Sequence, residues 1–280
     1  MATEDALAYC TDQVRRLDRA RYQTTLFAPT ALRGVVTALF AFDIEIARIR
    51  DLVSEPLLGR IRVQWWRDSV GALFDCNASA AHPVLKALAP LIRAGGLTHG
   101  YFEQLLDARE GELDIITHDD LASLVAFAEA TSGSLTLLVM EALGHRDSLA
   151  QDVARRLGAA WGLVCLIRAV PYEARAGRVT LPLDLLKRWE IESADGHGIR
   201  PSHRLNKVIA DIHNTALELI RDARRDMGEL PRSARSGLLL ATLVTAVLRD
   251  IRRAGFDPFG LALAPPPTVR LLWANVSGRI

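Results

Sequence analysis

An all-α fold is predicted by three features of the sequence. Apolar residues recur at three- and four-residue spacing along most of the chain. No alternating apolar and polar run flanks a tight Asn-Gly or Asp-Gly turn, as paired strands would require. Proline and glycine fall where that spacing breaks off, which is where helices stop.

The elements follow in order. A first amphipathic helix runs from about Glu4 to Arg19, with Leu7, Cys10, Val14 and Leu17 on one face. Tyr22 to Pro29 reads as a connection. Thr30 caps a long helix from about Ala31 to Val53, which Ser54, Glu55 and Pro56 end because the residue before proline is pushed out of the α region. Leu57 to Phe74 follows, then Pro83 to Ala94, stopped by Gly95 and Gly96. Thr98 opens a helix reaching Glu112. Asp119 or Asp120 caps Leu121 to Leu143, which Gly144 closes; Asp147 or Ser148 opens a helix to about Val170, before Pro171. Pro182 begins a short helix, and Gly196 to Pro201 is the most loop-like stretch. Ser202 to Met227 and Ser233 to Ala254 are helical, and Pro265, Pro266 and Pro267 introduce a short terminal helix. No shift of composition or long linker divides residues 1–280, so one bundle-like domain is expected.

Half of the 280 residues are hydrophobic and 24% are charged, which excludes a disordered or low-complexity chain. With 34 basic against 33 acidic residues the net charge is +1, so no whole-molecule field draws nucleic acid, and no nucleic-acid partner is expected. Lys86, Lys187 and Lys207 are the only lysines, against 31 arginines. That excess reflects either coding bias or selection for bidentate carboxylate and phosphate contacts. Cys10, Cys76 and Cys165 form no C-x-x-C pair and fit a reducing compartment. Glu4, Asp5, Asp12 and Asp18, without an apolar core, argue against a signal or transit peptide. The apolar runs Leu157 to Ile167 and Gly237 to Leu248 fall short of the ~20 residues that span a bilayer. The expectation is therefore no transmembrane segment and a cytoplasmic place, with room for a peripheral one at the inner membrane.

Phosphate-loop, H-E-x-x-H and G-x-S-x-G motifs are absent, and no two histidines stand four residues apart. A different signature is present. Residues 22–33 read YQTTLFAPTALR and lead into ALFAF at 38–42; more than a hundred residues later Arg168 precedes EARAGRVTLP at 173–182. This layout resembles the squalene/phytoene synthase family over nearly the whole chain. The resemblance implies an isoprenoid-synthase helical bundle around a central apolar cavity, with Tyr22 and Arg33 near the cavity mouth.

In that family two aspartate-rich motifs hold Mg²⁺ against an allylic diphosphate, because carboxylates one helical turn apart share a face. Here the first motif falls on residues 47–51 and keeps only Asp51; the second falls on residues 169–173 and keeps only Glu173. The family's Gln and Asn positions are Gly162 and Cys165, and an arginine position is Ile44. With one acid per helix, no catalytic residue and no metal ligand set is assigned. The block 41–51, AFDIEIARIRD, with QWWRD at 64–68, LDARE at 106–110 and LIRAVP at 166–171, resembles a branch lacking the acidic motifs. That branch includes the mitochondrial complex I assembly factor with a phytoene-synthase-like domain and its bacterial relatives. It implies a non-catalytic role in respiratory complex I biogenesis, with complex I subunits or assembly intermediates as partners and no cofactor. Two alternatives stand beside it. One is a divergent prenyltransferase coupling farnesyl or geranylgeranyl diphosphate, with Mg²⁺ on Asp51 and Glu173. The other is a binder of an isoprenoid or other phosphate-bearing lipid without turnover.

Arg48, Arg168 and Arg178 occupy positions where the family holds diphosphate and metal. They either pair with Asp51, Asp43 and Glu173 or grip a phosphate directly. Trp65 and Trp66 point about 100° apart on a helix, so one belongs to the core and one to an interface, or both to a partner-binding hot spot. Glu103, Asp107, Glu110 and Asp114 form an acidic stripe that serves as a solvated face, a partner for arginines or a metal site.

Overall fold

Helix α1 (Ala2–Leu17) starts a run of helices that the computed structural model describes for residues 2–75, 81–114, 117–191, 199–261 and 268–277. No strand occurs among the described residues, so the all-α expectation holds. Cys76, Gly196, His197, Gly198 and the prolines at 265–267 lie outside them.

The chain continues through α2 (Arg19–Thr25), α3 (Thr30–Ala47), α4 (Ile49–Leu52), α5 (Pro56–Phe74), α6 (Pro83–Arg93) and α7 (His99–Gly111). Then come α8 (Leu121–Ala128), a π turn (Glu129–Gly133), α9 (Ser134–Ala142), α10 (Ser148–Arg175), α11 (Leu183–Arg188) and α12 (His203–Met227). After a 3₁₀ turn (Arg232–Ala234), α13 (Arg235–Leu238), α14 (Leu240–Arg253) and α15 (Thr268–Ser277) complete the set. Helix α10 is the axis: α8, the π turn, α9, α12 and α14 all pack on it, and α3 joins α1, α6 and α9 on the other side of the core.

Several boundaries obey local chemistry. Asp120 caps α8 through a reciprocal box with Ser123, Asp147 accepts from Ala150 N at 2.9 Å, and Ser202 accepts from Leu205 N at 3.1 Å. Gly95 and Gly144, at φ +70° and +88°, take the left-handed conformation that ends α6 and α9.

Others correct the sequence reading. Tyr22 to Pro29 is not all connection, because Asp18 caps α2 through Arg21 N at 2.9 Å and helix runs to Thr25. Pro29, not Thr30, precedes the first turn of α3. The helix expected to reach Val53 breaks at Arg48, which leaves Ile49 buried at the start of α4. Pro171 does not end α10; packing along this helix outweighs the ~3 kcal/mol of an interior proline. Leu121–Ala142, assigned from sequence as a helix and not among the apolar runs weighed there, is by length and composition apolar enough to cross a membrane. In the bundle 61% of that window is buried against other helices.

Candidate functional site

Asp51 and Glu173, the two surviving acids of the family motifs, meet through an arginine. Gly177, at φ +69°, turns the chain after α10, so that Arg178 N donates to Glu173 O at 2.8 Å and its side chain folds back over the last helical turn. Arg178 Nε donates to Glu173 Oε2 at 2.5 Å and Nη2 to Oε1 at 3.2 Å, a two-pronged grip. The same Nη2 donates to Asp51 Oδ1 at 3.2 Å, and Arg50 Nη1 stands 3.7 Å from Glu173 Oε2. The hydrogen bonds to Glu173 and the charge of both acids hold the Arg178 pKa above its ordinary value. Two carboxylates therefore face two guanidiniums. Magnesium needs hard oxygen ligands around an octahedron. This donor set does not fit it, since a fixed cation already lies between the acids.

The other arginines part company. Arg48 is exposed at the α3–α4 break, and Arg168 is half-buried beside Cys165; neither makes an ion pair among the described residues. Neither pairs with Asp43, which lies on the buried face of α3 and is gripped by Arg21 Nη2 at 2.9 Å and Arg109 Nη2 at 3.5 Å. Arg21 also binds Asp18, and Arg109 binds Glu112 at 2.8 Å. Burial alone would raise the Asp43 pKa; the two guanidiniums more than offset it and hold the carboxyl below its usual range. The same burial pushes the neighbouring Cys165 thiol up to about 11. Tyr22 is half-buried against the core. Arg33 donates to Leu26 O at 2.8 Å and Ala28 O at 3.4 Å, fixing the turn between α2 and α3. Sequence reasoning missed Arg21 and Arg109, although Arg109 stood inside the LDARE block.

Helix α10 presses closely on the π turn. A Cβ on Gly158 would lie 2.4 Å from Ser132 O, and one on Gly162 2.9 Å from Ala128 Cβ. Gly162, at the family's Gln position, has given its side-chain space to helix packing. An apolar crevice between α2, α3, α9, α13 and the start of α14, walled by Phe40, Val139 and Leu240, has a volume of about 20 Å³. That is room for one water and not for a prenyl chain.

On the opposite side of α3, Trp66 is buried and meets Phe42 and His82 edge to face at 5.5 and 4.9 Å. Trp65 is 43% exposed, the division that adjacent tryptophans predict. Beside it Leu52, Leu57, Leu58 and Ile61 are also exposed, and a groove lined by Glu45, Arg62, Trp65 and His82 opens there. The acidic stripe is a partner for arginines: Arg67 binds Glu103, Asp107 at 2.8 Å and Glu110 at 2.8 Å, and Arg60 binds Asp114. No group of three metal-ligating side chains forms among the described residues.

The chain is similar to known proteins over most of its length. The chain is 30% identical over 265 residues to the rat (Rattus norvegicus) NADH dehydrogenase (ubiquinone) complex I, assembly factor 6, covering 95% of this chain and 79% of that protein. It is 23% identical over 255 residues to a presqualene diphosphate synthase of Sinorhizobium fredii, covering 90% of each. The fold superposes on a dehydrosqualene synthase solved with a ligand at a TM-score of 0.86 and 17% identity, over 99% of this chain and 97% of that one. The helical order therefore is that of an isoprenoid-synthase bundle. The squalene/phytoene synthase profile matches residues 14–274, from α1 into α15, and the chain belongs to the squalene/phytoene synthase family.

Proposed function

We propose that this protein is a non-catalytic member of its family that serves as an assembly or binding factor in the biogenesis of respiratory complex I. The observation that carries the reading is the ion cluster at Asp51, Glu173 and Arg178, where an arginine bridges the two acids that would otherwise be free to hold a metal. The rat relative, named as a complex I assembly factor over most of its length, supports the partner. We assign the partner-facing surface to α4 and α5, where Leu57, Leu58, Ile61 and Trp65 expose an apolar strip. The reading takes residues 1–280 as one domain in the cytoplasm, docked peripherally at the inner membrane where complex I is built.

Deleting the gene and resolving membranes on a native gel tests the role. Complex I is expected to fall or stall as a subassembly, with rescue by wild type and not by Ile61→Asp with Trp65→Ser. Full assembly in the deletion strain overturns it.

The presqualene diphosphate synthase relative keeps a second reading open, a divergent prenyltransferase using Mg²⁺ on Asp51 and Glu173. Purified protein incubated with farnesyl diphosphate and Mg²⁺ is expected to release no pyrophosphate. Release that disappears on Glu173→Gln would establish the enzyme instead. A lipid-diphosphate binder without turnover would show thermal stabilisation by farnesyl diphosphate in EDTA, lost on Arg48→Ala. We expect no stabilisation that depends on Arg48, since Arg178 is already engaged by Asp51 and Glu173 and Arg48 lies exposed apart from it.

A further inference from the structure

Far along the chain from the Asp51 cluster, α12, α14 and α15 enclose an open groove of about 320 Å³. Arg224 projects into it from α12, Arg249 from α14 and Arg270 from α15, with the Thr242 side chain on the same wall. None of the three arginines makes an ion pair or hydrogen bond among the described residues. Nearby acids are engaged elsewhere: Asp226 with Arg156 at 2.6 Å, Asp222 with Arg225 at 2.8 Å and Asp250 with Arg253 at 3.8 Å. Arg224 and Arg270 are exposed and Arg249 is half-buried, and no acidic side chain lines the groove. The Arg224 pKa is lowered by partial withdrawal from water. Thr245 already donates to Ala241 O at 2.8 Å, so Thr242 is the hydroxyl available to an anion's oxygen.

The rim says more about the occupant. Helix α15 buries Leu271 and Ala274 against the bundle and leaves Val269, Leu272 and Trp273 exposed beside the groove. Guanidiniums next to an exposed tryptophan and aliphatic side chains suit a ligand with a charged phosphate and an apolar continuation.

We propose that this groove is a phosphate site, in which Arg224, Arg249 and Arg270 bind a phosphate ester. The carrier is a phospholipid headgroup at a membrane surface or a soluble phosphate ester; the arginine chemistry is common to both. The site is independent of the complex I reading and stands or falls without it.

Two measurements on the full-length protein test it. One is calorimetric titration with inorganic phosphate and with glycerol 3-phosphate. The other is flotation with phosphatidylcholine vesicles, with and without phosphatidylglycerol. Flotation only with the anionic vesicles identifies a headgroup; heat of binding with the soluble phosphates and no flotation identifies a soluble ester. In either case Arg249→Gln and Arg270→Gln each weaken binding about fivefold, the change that ~1 kcal/mol per arginine represents, and Trp273→Ala reduces flotation alone. Arg16→Gln, on α1, is the control for general charge and leaves binding unchanged. The proposal is overturned by absence of both signals, by binding that survives the double variant Arg249→Gln/Arg270→Gln, or by equal loss in the control. These surface variants keep the wild-type melting temperature, so loss of binding is read separately from loss of fold.

Discussion

Asp43 is only 5% exposed and lies between the guanidiniums of Arg21 and Arg109, from α2 and α7. Replacing it by alanine leaves two buried cations without their shared partner, at a cost of about 3 kcal/mol. Urea denaturation is expected to show that loss, because Asp18 and Glu112 compensate each arginine only in part. The pH dependence has a definite sign. The folded pKa of Asp43 lies below the unfolded carboxylate value of about 3.9, so its contribution is complete above that pH. It is lost as pH falls through the folded pKa. Melting curves between pH 5 and 2 should therefore fall more steeply for wild type than for Asp43→Asn; parallel curves would remove Asp43 from the account. At this scale the sequence was half legible. Asp51, Glu173 and Arg178 were found because a family layout points to their positions. Arg21 and Arg109 were not, because no spacing rule joins residues 22 and 66 positions away from Asp43.

Glycines show the same division among elements. Gly71 lies inside α5 with open space where a Cβ would stand, whereas a Cβ on Gly158 in α10 would strike the backbone of the π turn. Gly71→Ala is expected to stabilise by about 0.5–1 kcal/mol, and Gly158→Ala to destabilise by about 1–3 kcal/mol or more. Paired thermal melts check both signs at once. In sequence the two are alike, each a lone glycine in a helical pattern; only the helix crossing them distinguishes their roles. Arg67 is a third case, since it ties α5 to α7 through three carboxylates. Arg67→Ala leaves those acids repelling each other, so stability falls by about 1 kcal/mol at low salt and the deficit shrinks as salt screens them. A deficit that grows with salt would contradict this.

Across the molecule, the apolar strip on α5 and the arginine groove rest on separate parts of the bundle. Helix α5 packs chiefly on α4, α6 and α7, whereas α14 packs on α2, α10, α12 and α15. Two independent surfaces follow. Ile61→Asp is expected to leave vesicle flotation intact, and Arg249→Gln/Arg270→Gln to leave the native-gel pattern of complex I unchanged; running both assays on both variants measures the coupling. By itself the sequence determined the helical class, most of the helix ends and the family, because apolar spacing, caps and proline stops act over a few residues and survive as local patterns. It also showed that the acidic motifs were depleted. Tertiary structure alone decided which side chains meet: Arg178 between Asp51 and Glu173, Gly162 pressed onto Ala128, and, in a separate groove, three arginines gathered from α12, α14 and α15. Each depends on helices distant in the chain being brought face to face, and the periodicity of one helix carries no information about which charges its neighbours will present.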